Sequence, residues 1–102
     1  MNQGVQLVAN DISKWNGNWL LMGEWSLASP GSAKFTDATL KQYFINMFNT
    51  MNAMHSGWTY WTWKQGSGGP RGNGEGAWCF RDLLRDCVVN PKLWDSTSKK
   101  CP

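Results

Sequence analysis

The sequence has little of what several protein classes require. No apolar run approaches the ~18 residues of a membrane-spanning helix. The first fifteen residues lack a charged start followed by an apolar stretch, so no signal peptide is visible. There is one histidine, His55, and no C-x-x-C pair, which argues against a zinc site and any metal role. Charge is sparse: the net value is +3, with only Lys99 and Lys100 adjacent among the basic residues. A nucleic-acid footprint needs a denser basic stripe. Glutamate is scarcest among the acids, limited to Glu24 and Glu75. Cys79, Cys87 and Cys101 are an odd set, so at most one internal disulfide forms. Cys79 and Cys87 lie about 12 Å apart if both are helical, too far to bridge. Cys101 reaches either one only if the tail folds back.

Tryptophan, by contrast, is abundant, with eight in 102 residues. So many large amphipathic rings suggest a rich aromatic core or a surface that stacks on flat ligands. Val5, Val8, Ile12 and Trp15 recur at helical steps and predict a helix over 4–15. Asn16-Gly17-Asn18 stops it. Residues 19–26 form a short apolar run without a polar face, the pattern of a strand buried on both sides. Alternation would put Leu20, Met22 and Glu24 on one face and Trp19, Leu21 and Gly23 on the other. The clearest helix spans 37–55, with Leu40, Tyr43, Phe44, Met47, Phe48, Met51 and Met54 as its apolar stripe. Thr36 is its expected N-cap, Asp37 suits its dipole and Gly57 its stop. Residues 58–64, rich in aromatic and β-branched side chains, predict a second strand. A glycine-rich loop covers 65–77, a short helix 78–89, and a tail 90–102 that is polar except for Leu93 and Trp94.

Strands alternating with amphipathic helices read as consecutive βα units of an α/β fold. Two parallel strands cannot cover themselves. Their edges and open apolar face call for neighbouring strands. The chain is therefore expected to be a fragment, or one member of an assembly that self-associates to cover the sheet.

Two segments carry a specific likeness: Met22-Gly23-Glu24-Trp25-Ser26-Leu27-Ala28, and Gly57-Trp58-Thr59-Tyr60-Trp61-Thr62-Trp63-Lys64. In their order, and with the long helix between them, they resemble the seventh and eighth strands of family 5 glycoside hydrolases, in the exo-β-1,3-glucanase branch. Trp78-Cys79-Phe80 followed by Leu83-Leu84 is similar to that branch's last helix. The resemblance covers about residues 15–94. It implies a partial (β/α)₈ barrel: the last two βα units plus the end of a preceding helix. It also implies a retaining hydrolase acting on β-1,3-glucan, no cofactor, and an extracellular or cell-wall location. A complete barrel takes ~250 residues. The earlier strands, with the acid/base, are absent from these 102 residues. The glycine-rich loop is longer than that branch leads one to expect, and the segment after Glu24 shorter.

Retaining hydrolysis uses two carboxylates about 5–5.5 Å apart. Glu24, at the end of a barrel strand, is the expected nucleophile; no acid/base is expected in this chain. Glu75 sits in a loop poorly suited to positioning an acid. By resemblance, Trp63 is the shelf beneath the sugar, on the inward face with Glu24. Trp61, one step deeper, is assigned chiefly to filling the barrel, with a secondary substrate contact. Trp25 is expected at the pocket rim. Trp19, Trp58 and Tyr60 are expected against the helices. The rival to a glucanase fragment is a non-catalytic module that holds polysaccharide on its tryptophans. A further reading is a gene fragment with no independent role. No nucleic-acid or membrane partner is expected.

Overall fold

The computed structural model describes residues 2–28, 35–53, 57–63 and 76–102. His55, Met54, Glu75 and nearly all of the glycine-rich loop lie outside the described residues.

Helix α1 spans Asn2–Lys14. It runs through Asn10 and Asp11, which hold exposed positions where polar side chains cost nothing. Its Val5 and Val8 pack on the core. Gly4 lets it come close to α2: a Cβ there would sit 3.0 Å from the Tyr43 hydroxyl. The turn that follows also depends on a glycine. A Cβ at Gly17 would lie 2.6 Å from the Trp15 ring, which folds over it and donates to the Asn18 carbonyl.

Strand β1 is Met22–Trp25, helix α2 is Asp37–Met51 and strand β2 is Trp58–Tyr60. The two strands pair in parallel, so β1–α2–β2 is one crossover unit. Helix α2 starts as expected: the Thr36 hydroxyl accepts from Thr39 N, and Asp37 occupies the first turn. Leu40, Phe44, Met47, Phe48 and Met51 are buried along one side. The helix stops at Met51 rather than at 55, with Asn52 as C-cap. Gly57 then takes φ +91°, a left-handed value that favours glycine. Its carbonyl accepts from Met22 N and opens the strand pairing.

Both strands are shorter than the expected 19–26 and 58–64. β2 ends where Thr62 and Trp63 turn away to a different partner. Thr62 N donates to Trp78 O, while Phe80 N and Arg81 N donate to the Thr62 and Trp63 carbonyls. A 3₁₀ turn, Gly76–Trp78, precedes helix α3, Phe80–Arg85. The expected helix over 78–89 is cut short because Cys87 takes φ +59°.

Register overturns the expected alternation. Met22 pairs with Trp58 and Trp25 with Tyr60, so Gly23 and Glu24 together face Thr59. This is a bulge, one extra residue in β1. It places both Met22 and Trp25 on the helix side and leaves Gly23 and Glu24 exposed. Leu20, Met22 and Glu24 therefore do not share a face. The core joins Trp25, Leu27, Leu40, Phe44, Met47, Phe48, Met51, Ala77, Leu83, Val88 and Val89. Trp58 and Tyr60 pack against it as expected. Trp19 does not; it is 73% exposed.

The tail folds back. Cys87 and Cys101 form a disulfide with their Cα atoms 5.8 Å apart, and Cys79 is a buried free thiol. The Asn90 side chain donates to Pro102 O at 3.1 Å and accepts from Lys92 N. It caps a second 3₁₀ turn, Pro91–Leu93.

Candidate functional site

Glu24 lies near the C-terminal end of β1, and its side chain is exposed. It was expected at the end of a run buried on both sides; the bulge turns it outward instead. No ion pair holds it among the described residues. Beside it the Thr59 hydroxyl donates to the Gly23 carbonyl, tying the bulge to β2. One step on, Trp61 N donates to Trp25 O at 3.0 Å. Trp61 is 54% exposed. The open face thus presents Glu24, Thr59 and Trp61. The Trp61–Thr62 peptide bond is cis.

Trp25 is not at a rim. It is buried at the centre of an aromatic cluster: stacked on Phe44 at 5.3 Å, and edge-on to Trp58 at 5.5 Å and Tyr60 at 5.2 Å. Its indole N–H has no acceptor among the described residues. An unmet buried donor costs about 1–3 kcal/mol. The ring contacts around it offset that cost.

Tyr60 does more than fill space. Its hydroxyl accepts from Leu27 N at 2.8 Å and donates to Ala77 O at 2.5 Å. Burial pushes its ionisation well above the usual tyrosine range, so it stays neutral and remains a donor. It pins the chain just after Glu24 to the turn before α3. Nothing in the aromatic-rich run distinguishes this tyrosine from its neighbours, so the role was not legible in sequence.

Trp63 was expected beside Glu24. It instead lines a groove of about 340 Å³ with Arg81, Leu84, Arg85, Pro91, Trp94 and Lys100. Below the groove is a second feature that sequence reasoning missed. Asp82 is buried, 3.0 Å from Arg85 Nη1 and 3.6 Å from Arg81 Nε. Arg85 also donates Nε to Asp86 Oδ1 at 2.8 Å and Nη2 to Asp86 Oδ2 at 2.9 Å. Those bonds, then the two carboxylate charges, raise the guanidinium further above its ordinary value.

Among the described residues, no group of three or more His, Cys, Asp or Glu is placed to hold a metal ion. No helix there is long and apolar enough to cross a membrane.

Comparison with protein-family models, curated proteins and solved structures returns no match.

Proposed function

We propose that this chain is the C-terminal part of a retaining β-glucan hydrolase of the exo-β-1,3-glucanase type, with Glu24 as nucleophile. The observation that carries the reading is the position of Glu24. It projects at the C-terminal end of a parallel strand, on the side away from the helices. In a closed barrel that side is the interior, and catalytic groups stand at the C-terminal strand ends. The motif likeness at residues 22–28 and 57–64 supports the same assignment. A glutamate there attacks the anomeric carbon and departs when water hydrolyses the glycosyl-enzyme. Trp61, bonded through its backbone beside Trp25, is the exposed indole best placed to carry a sugar ring near Glu24. The exposed residues Trp19 and Leu21 offer surface on which the remaining strands pack. The disulfide supports an oxidising, extracellular compartment.

The acid/base must come from the remaining strands, so purified 1–102 is expected to leave laminarin intact. The deciding experiment extends the chain with the coding sequence upstream of Met1 and assays laminarin hydrolysis. Glu24→Gln is expected to lower turnover by at least about 10³-fold. Turnover unchanged by Glu24→Gln would falsify the assignment.

One observation favours a second reading, a binding module without catalysis. Tryptophans 15, 19, 61, 63 and 94 are all exposed, and only one glutamate lies among the described residues. Retention on insoluble β-1,3-glucan that depends on Trp61 but not on Glu24, with no hydrolysis by the extended chain, selects that reading.

A further inference from the structure

The groove on the α3 side is separate from the Glu24 face and has a composition of its own. Its walls are apolar: Trp63, Leu84, Pro91 and Trp94. Its remaining lining is cationic: Arg81, Arg85 and Lys100. Trp63 is 59% exposed and Trp94 48% exposed, so both rings offer surface to a ligand. The Trp94 ring is also held in place, and Trp63 is anchored through its backbone. Trp94 rests on Phe48 at 6.1 Å and on Phe80 at 6.5 Å. The Trp63 carbonyl accepts from Arg81 N at 2.9 Å. A ring fixed in advance, as Trp94 is, loses little freedom on binding.

We infer that this groove binds a singly charged, carboxylated sugar ring, the indoles taking its C–H face and the cations its carboxylate. Charge complementarity selects this occupant. Asp82 and Asp86 already occupy part of the arginine donor set, so the two carboxylates leave a local surplus near one positive charge. Lys100 makes no ion pair among the described residues. One surplus charge matches one carboxylate. It is too little for a nucleic-acid backbone, whose binding draws on many phosphate contacts. The volume, about 340 Å³, falls at the small end of ligand sites.

The groove also depends on the disulfide. Pro91, Trp94 and Lys100 all belong to the segment closed by Cys87 and Cys101. Opening that bond releases one whole wall. The inference does not rest on the glucanase reading, since neither Glu24 nor Trp61 lines the groove.

The test titrates the oxidised 102-residue chain with galacturonic acid by calorimetry, with its methyl ester and thymidine monophosphate as controls. Saturable binding is expected for the acid, at least about tenfold weaker for the ester and for the nucleotide. Lys100→Gln and Arg81→Gln are each expected to weaken binding about tenfold. Lys100 is exposed, so its substitution leaves the fold intact, as circular dichroism would register. Trp63→Ala is expected to weaken binding by a similar factor. Dithiothreitol is expected to weaken it more than tenfold. Equal binding of acid and ester, tighter binding of the nucleotide, or indifference to Lys100→Gln and Arg81→Gln overturns the inference. So does binding that survives reduction.

Discussion

The two faces of the β1–β2 pair are built from the same residue types and behave in opposite ways. On the helix side, Trp25, Trp58 and Tyr60 meet Phe44, Phe48 and Phe80 in a continuous web of ring contacts. On the open side, Leu21 and Trp61 stand exposed, as do Glu24 and Thr59. Aromatic content alone therefore does not mark a core. What separates the faces is the presence of α2 and α3 on one of them. The bulge at Gly23-Glu24 then decides which residues fall on which side.

Substitution should break this comparison most sharply at Phe44, which is 0% exposed. Phe44→Ala is expected to cost about 3–5 kcal/mol, whereas Trp61→Ala should stay within about 0.5 kcal/mol. Urea unfolding of the two variants measures the contrast. Equal losses would show that the open face is packed in solution. Next in size is the tail. Cys101→Ser opens a loop of sequence separation 14 and should remove about 3 kcal/mol. Thiol counting in denaturant without reductant should find one reactive group in the wild type, Cys79. Finding three would show that the tail is not closed. Tyr60→Phe strips both partners from a buried hydroxyl and should cost about 1–3 kcal/mol. A matching rise in hydrogen exchange at Leu27 locates the loss. Thr36→Ala removes the α2 cap and should cost about 1 kcal/mol. Smallest of all, Glu24→Gln should move stability by no more than about 0.5 kcal/mol. A marked gain or loss at that position would mean that the carboxylate is engaged with protein rather than open to a ligand.

Legibility in sequence followed the range of the interaction. The α2 stripe and the Thr36 cap were readable because each is set by neighbours within a turn or two of chain, whereas the helix ended at Asn52 rather than at the expected Gly57. The strand near Glu24 was readable as a strand, but its facing was not. A single extra residue on β1 is invisible until Met22 and Trp25 find Trp58 and Tyr60. The groove beside Trp63 was not legible for a related reason. The Trp63 backbone pairs with residues beyond the glycine-rich loop, at Arg81, rather than continuing the β2 ladder. The tail looked uninformative except for Leu93, Trp94 and Cys101. Those are the residues that fold it back.

The linear chain fixed the order of elements, the apolar side of α2, its Thr36 cap and the glutamate near the end of β1. Each of these depends on local periodicity and hydrogen bonding, which a residue carries with it. Tertiary structure decided the bulge, the burial of Trp25, the clamp through Tyr60, the Cys87–Cys101 pairing and the groove under Trp94. These depend on which distant segments meet, and steric fit between separated side chains is not encoded in any short stretch of sequence.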